Sequence, residues 1–137
     1  MPASLAAYDA LTKAPLFSDL SEEELRKISD LFVERNFPDG KVIVQEGQGG
    51  EAFFVIKSGT AQIMVEEAEH GTLTAGDYFG EIALIDEGTR MASISAVGDV
   101  TCYTLSNTDF RTLVEQNGEI GWKLLQRLTR IIREFRR

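Results

Sequence analysis

The stretch Phe79-Gly80-Glu81-Ile82-Ala83-Leu84-Ile85, followed after four residues by Arg90-Met91-Ala92-Ser93, decides how this chain is read. Gly80 lets the backbone come close to another group. Residues 81–85 are good helix formers, with room for about one turn before Asp86-Glu87-Gly88. A helix start presents N–H groups that lack acceptors, which suits an anion. Arg90 adds a guanidinium able to grip a phosphate through paired hydrogen bonds. A small anionic sugar phosphate fits such a pocket. Glu81 would repel the phosphate itself, so its natural partner is a hydroxyl, such as a ribose 2′-OH. Each residue also has a plainer reading. Glu81 can be a carboxylate favoured by the helix dipole, worth up to ~1 kcal/mol. Arg90 can be the end of a strand running to Val97, sharing a face with Ala92, Ile94 and Ala96 and reaching water or a surface carboxylate.

Outward from this stretch the chain is rich in glycine. Ten of its twelve glycines fall between Gly40 and Gly98. Short β-rich runs lie between them: Lys41–Gln45, Ala52–Ile56, Thr60–Glu66, Arg90–Val97 and Val100–Leu105. Ala61, Ile63 and Val65 make one apolar face, with Gln62 on the other. Short strands separated by glycine turns predict a closed or sandwiched antiparallel β fold over residues 37–106. A polar hairpin is expected at Glu66–Gly71, with His70 exposed in it.

Helical periodicity flanks this region. Ser4–Lys13 reads as a short helix that Pro15 ends. Ser21 with Glu24 forms a capping box, and Leu25, Ile28, Leu31 and Phe32 predict an amphipathic helix over 22–32. Ser106 caps the next helix, with Asp109 in its first turn, and Asn117-Gly118 is an end signal. A last helix runs from about Glu119, with Ile120, Leu124, Leu128, Ile131 and Phe135 in one stripe. The expected organisation is one domain over 1–137: N-terminal helices (1–36), a β roll (37–106, with 79–93 as its ligand cassette) and two C-terminal helices (107–137).

The net charge of −8 argues against whole-protein attraction to nucleic acid or an anionic membrane. The charge is uneven, with residues 111–137 at +4 and the rest at −12. That basic segment is either a nucleic-acid arm or, as preferred here, a helix face offsetting an acidic body. Cys102 is alone and sits in an apolar run, which suits a core thiol in a reducing compartment. No signal peptide or membrane-length apolar stretch is evident, so the cytoplasm is the expected location. With one His and one Cys, neither a metal site nor a nucleophilic triad can be assembled, and no enzyme activity and no cofactor are expected.

The run from Phe79 to Ile85, with Arg90 and Ala92-Ser93, resembles the phosphate-binding cassette of the cyclic nucleotide-binding domain family, which includes protein kinase A regulatory subunits, gated channels and catabolite activators. Gly40, Glu46-Gly47, Gly59 and Gly76-Asp77-Tyr78-Phe79 resemble that family's turn glycines and the strand entering the cassette. Leu16-Phe17 and Leu20-Ser21 resemble the entry to its N-terminal helices. The resemblance spans roughly residues 11–137 and implies a double-stranded β-helix, a jelly-roll-like β roll.

It also implies site roles. Arg90 would pair with the phosphate and Glu81 with the ribose 2′-OH. Phe79, Gly80, Ile82, Ala83 and Ala92 would line or contact the ligand through the backbone, and Ile63 would supply an apolar wall. The last helix would close as a lid, bringing Phe135 and Arg136 to the base. Two departures stand out. Thr89 replaces a common Pro, and Met91 replaces the Ala, Ser or Thr usual after the Arg. Met91 removes a hydroxyl that could hold guanine, so cyclic AMP is expected over cyclic GMP. The expected partners are a cyclic nucleotide and an unidentified protein effector, with a homodimer through the C-terminal helix as a further association. No direct partnership with nucleic acid or membrane is expected. The sequence ends on the last helix, so a stand-alone sensor is expected rather than a helix-turn-helix regulator. The alternatives are a regulatory piece of a larger regulator or channel, and a scaffold that no longer binds ligand.

Overall fold

Alternation along one strand organises the molecule. In the run Ala52-Phe53-Phe54-Val55-Ile56, Phe53 and Val55 face the helices, whereas Phe54 and Ile56 face the interior of the β roll. Both faces are buried, which is why this run reads as continuously apolar. The computed structural model describes residues 5–48, 52–86, 90 and 92–136. Its strands are β1 (Val33–Phe37), β2 (Val42–Val44), β3 (Ala52–Val65), β4 (Ala68–Leu73), β5 (Tyr78–Phe79) and β6 (Ser93–Ser106). They form one antiparallel sheet in the order β1-β6-β3-β4, with β2 added to β6 and β5 to β3. Helices α1 (Leu5–Lys13) and α2 (Glu22–Ser29) precede it, and α3 (Asn107–Gln116) and α4 (Gly118–Phe135) follow it. The expected fold class, a β roll flanked by helices, is present.

Two buried clusters hold these parts. The larger joins α1, α2, α3 and α4 to the outer face of β3 and β6. Phe17, in a 3-10 turn at Pro15–Phe17, stacks on Phe53 at 6.1 Å and meets Phe110 edge-on at 6.1 Å. The second cluster fills the roll with Phe37, Phe54, Ile56, Ala61, Ile94, Ala96, Val100 and Cys102. Burial pushes the Cys102 thiol up to about 11, as befits a core residue.

Several boundaries differ from the sequence expectation, each for a local reason. The helix expected over 22–32 ends at Ser29, and Val33–Phe37 within the expected helical segment is strand β1, paired with β6 from Val33↔Thr104 to Phe37↔Val100. Phe32 keeps its apolar role by packing edge-on against Phe53 at 5.5 Å. The runs 52–56 and 60–66 are one strand, and so are those at 93–97 and 100–105. Gly59 and Gly98 have positive φ, but they mark irregularities rather than turns: the β3–β6 register shifts on either side of Ser58. A Cβ on Gly59 would overlap the Asp99 carbonyl. The hairpin turns at Glu66–Glu67, earlier than the Gly71 expected to help make it, and His70 is exposed on β4.

The basic face of α4 is not simply solvated. Arg127 donates from Nε and Nη2 to the Asp19 carboxylate, which also accepts from Arg130 at 3.1 Å. Lys123 donates to Glu24 at 2.7 Å, and Lys27 to Asn117 at 3.2 Å. The same Glu24 oxygen closes the capping box by accepting from the Ser21 N–H at 2.8 Å. These bonds dock α4 onto the N-terminal helices.

Candidate phosphate site around Arg90

Strand β5 delivers the chain into the site. Phe54↔Phe79 and Val55↔Tyr78 pair β5 with β3, and the Phe79 ring stacks on Phe54 at 4.9 Å and 11°. This stacking anchors the residue immediately before Gly80. Gly80 then takes φ +88°, and residues Glu81–Leu84 form a single 3-10 turn. Ala83 N–H donates to Gly80 O at 3.0 Å, so the N–H groups of Glu81 and Ile82 lie ahead of the first intraturn bond. Ala83 and Leu84 are buried, whereas Ile82 is exposed.

Arg90 lies outside the strand expected to carry it, because β6 begins at Ser93. Its backbone is instead held by the loop after β2. Arg90 N–H donates to Gln48 O at 2.7 Å, and Gly47 N–H donates to Arg90 O at 2.9 Å. Ser93 Oγ supports this loop by accepting from Glu46 N–H at 2.9 Å. The guanidinium reaches back under the turn, where Nη2 donates to Ala52 O at 2.7 Å. Its Nε is buried and has no hydrogen-bond partner among the described residues. Burial lowers the Arg90 pKa from its ordinary value, and the Glu81 carboxylate opposes that shift. Burial raises the Tyr78 phenol, with Glu81 adding to the effect.

A partly buried guanidinium with an orphaned N–H is costly unless an anion meets it. Among the described residues the arrangement therefore provides a cation, a nearby carboxylate and a turn start whose leading N–H groups precede its first hydrogen bond, and no nucleophile–base pair. Among the described residues, no group of three or more His, Cys, Asp or Glu could hold a metal ion.

The structure brings Gly80, Glu81 and Arg90 together, with Ile82 and Ala83 in the same turn and Phe79 anchoring it. Ile63 lies deeper in the roll, partly buried and paired with Ile94. Ala92, between Arg90 and β6, is partly exposed. Met91 lies outside the described residues, as does Thr89. Phe135 is 87% exposed and Arg136 is exposed, so neither is packed as a lid in this conformation. The sequence reading missed Ala52, whose carbonyl holds Arg90. A backbone acceptor 38 residues away leaves no signature in side-chain type.

Comparison with known proteins shows the family. The family model described as "Cyclic nucleotide-binding domain" matches residues 34–117. The cAMP-dependent protein kinase regulatory subunit of Emericella nidulans is 38% identical over 110 residues, covering 78% of this chain and 27% of that protein. The cGMP-dependent protein kinase, isozyme 1, of Drosophila melanogaster is 39% identical over 112 residues, covering 76% of this chain and 15% of that protein. The chain thus spans about a quarter or less of the length of these two relatives. The N-terminal domain of a transcriptional regulator from Streptomyces coelicolor A3(2) has the same fold, with a TM-score of 0.79 at 23% identity over 92% of this chain and 94% of that one. The matched segment contains Gly80, Glu81 and Arg90, and the chain belongs to the cyclic nucleotide-binding domain family.

Proposed function

We propose that this chain is a sensor that binds a cyclic purine nucleotide at Arg90, does not turn it over, and reports occupancy through α4. The observation that carries the reading is the orphaned, buried Nε of Arg90 beside the Gly80 turn. A cyclic phosphate supplies the missing acceptor, the Glu81 carboxylate accepts from the ribose 2′-OH, and the N–H groups of the turn complete the cradle. Ile63 and Ala92 fit as further ligand contacts. Cyclic AMP is the preferred ligand on the strength of Met91, whose side chain offers guanine no hydrogen bond. The relatives include proteins named for each nucleotide, so the preference rests on this chain's own residue.

Signalling follows from the position of α4. Helix α3 packs against the turn at Glu81–Leu84, and α4, packed on α3, borders a groove shared with Leu84 and Ile85, while Phe135 near its C-terminal end is exposed. Movement of the turn on ligand binding has a short path to α4, and closure would bring Phe135 and Arg136 towards the base. A protein effector reading that motion is the natural output. A second reading, a regulatory domain working within a longer polypeptide, is favoured by the small fraction of each relative that the chain spans.

Calorimetric titration with cyclic AMP and cyclic GMP tests the proposal, with chromatography to confirm that the nucleotide is recovered intact. Saturable binding with cyclic AMP tighter is expected. No heat and no thermal shift with either nucleotide at millimolar concentration would leave a scaffold without a ligand.

A further inference from the structure

The backbone of Arg90 stands ahead of β6, off the sheet ladder, and Gln48 O and Gly47 N–H occupy both of its polar groups. The guanidinium therefore starts from wherever the loop at 45–48 stands. That loop is a turn closed by Gln48 N–H on Gln45 O at 3.2 Å, with Gly47 at φ +84°. A single weak closing bond around a glycine gives it little rigidity of its own.

The contacts that fix the loop converge on Glu46. The β2–β6 register ends at Val44↔Ile94, and Glu46 N–H donates instead to Ser93 Oγ at 2.9 Å. Gln45 Nε2 donates to the same oxygen at 3.3 Å. On the other side the Glu46 carboxylate accepts from Glu66 N–H at 3.0 Å. Glu66 belongs to the turn between β3 and β4, so one residue joins that hairpin to the start of β6.

We propose that Glu46 and Ser93 are positioning residues for Arg90. Ser93 offers a hydroxyl acceptor just beyond the end of the ladder, and the Glu46 carboxylate reaches the hairpin. Together they pin the loop from which the guanidinium extends. The precision required is high. Nη1 lies against Gly80 while Nη2 bonds Ala52 O at 2.7 Å, so drift of the loop loses one of these contacts. An aliphatic side chain at 93 would leave Glu46 N–H without this acceptor, and one at 46 would release Glu66 N–H. The bond at Glu66 comes from its backbone, so the role belongs to the side chains at 46 and 93 and not to the one at 66. The inference rests on the nucleotide reading for what Arg90 grips, and on geometry alone for how Arg90 is held.

Four variants of the full chain test it: Glu46→Ala and Glu46→Gln, Ser93→Ala and Ser93→Thr, each checked for folding by circular dichroism. Gln keeps the acceptor and drops the charge, and Thr keeps the hydroxyl. The first readout is hydrogen exchange at the Arg90 Nε–H in the protein without nucleotide, followed by NMR and assigned by its loss in Arg90→Lys. Exchange should be at least ~tenfold faster in the two Ala variants, as local opening becomes easier, and near the parental rate in Gln and Thr. The second readout is calorimetric titration with cyclic AMP. Each Ala variant should bind about three- to tenfold more weakly, the scale of one lost neutral hydrogen bond, with Gln and Thr close to the parent. Parental exchange and affinity in both Ala variants would overturn the proposal. So would a Gln variant that behaves like Ala, since Glu46 would then act by charge and not as an acceptor. A parent that binds no cyclic AMP removes the nucleotide reading, while the exchange rates still decide whether Glu46 and Ser93 hold Arg90.

Discussion

The Nη1 of Arg90 occupies the space where a side chain on residue 80 would begin. A Cβ on Gly80 would lie 2.6 Å from that nitrogen and 2.7 Å from the Ala52 carbonyl oxygen that anchors the same guanidinium. Gly80 is also at φ +88°, where any other residue is strained. Gly80→Ala should therefore displace Arg90 and strain the turn together. The expected outcome is a loss of ~1–3 kcal/mol in stability, visible in chemical denaturation, and loss of nucleotide binding. Binding at the parental affinity would show that the guanidinium position does not matter.

Arg90 and Glu81 should separate in their effects. On the proposed reading Arg90 would meet a full charge in a partly buried site, while Glu81 would meet a neutral hydroxyl. Charge-assisted hydrogen bonds contribute ~1.5–3 kcal/mol each and neutral ones nearer ~1. Arg90→Leu should weaken cyclic nucleotide binding by roughly a hundredfold or more, and Glu81→Ala by roughly tenfold or less. In the free protein Arg90→Leu removes a buried Nε–H that has no partner among the described residues but also takes the Nη2 bond from the Ala52 carbonyl, so stability should change by no more than ~1–3 kcal/mol. Parallel titrations and unfolding curves check both halves. Comparable losses from the two substitutions would reassign the phosphate contact.

What the sequence made legible depended on how local each signal was. That Gly80, Glu81 and Arg90 lie together could be read because their residue types recur over a short span. The Ser21–Glu24 capping box, the Ser106 cap and the amphipathic helices could be read for the same reason. The continuity of β3 and β6 could not, because a glycine at a bulge and a glycine at a turn look alike until the neighbouring strand is placed. Strand β1 was missed because its burial pattern is almost wholly exposed, so Val33–Phe37 shows no clean alternation. The docking of α4 was missed because Asp19 and Glu24 lie about a hundred residues from the cations they bind.

That docking predicts an acid-sensitive stability. The hydrogen bond from Arg127 is the largest influence on Asp19 and holds its carboxyl below the ordinary value, against an upward push from desolvation. For Glu24 desolvation is the largest single influence and pushes upward, but the bonds from Lys123 and Ser21 prevail and the net shift is downward. Carboxyls depressed in the folded state contribute stability that is fully present above their unfolded values and is lost as pH falls through the lower folded ones. Melting temperature should therefore fall as pH drops below the ordinary carboxylate range, about 4. Lys123 and Arg127 are shifted upward by the same bonds, so their contribution persists through neutral pH and fades only in strong alkali. Asp19→Asn should flatten the acid limb. An unchanged acid limb in that variant would remove Asp19 from the account.

Base choice is a third property of the ligand site. Cyclic AMP should bind more tightly than cyclic GMP, and Met91→Thr should narrow the gap by restoring a hydroxyl for guanine. If the end of α4 closes over the base, Arg136→Ala should weaken cyclic AMP more than cyclic GMP. Competition titrations read both ratios. Equal affinities in the parent, or ratios that neither substitution moves, would show that base selection does not lie in these residues.

The hairpin between β3 and β4 should be improvable without reference to function. Glu66 and Glu67 form its two-residue turn with φ of +52° and +65°. Both therefore occupy left-handed backbone, as in a type I′ turn, where Asn-Gly is preferred. Each non-glycine residue held there costs roughly 1–2 kcal/mol. Two like charges also sit side by side in this turn, although Glu66 N–H gains a bond to Glu46 Oε1 at 3.0 Å. That bond comes from the backbone, so Glu66→Asn with Glu67→Gly keeps it. The pair should stabilise the fold by ~1 kcal/mol, or roughly 3–6 °C in melting temperature for a chain of this size. Glu67→Val, which places a β-branched residue in the same backbone, should lower it. If Asn-Gly left the melting temperature unchanged and Val were tolerated, the turn would not be held in left-handed backbone.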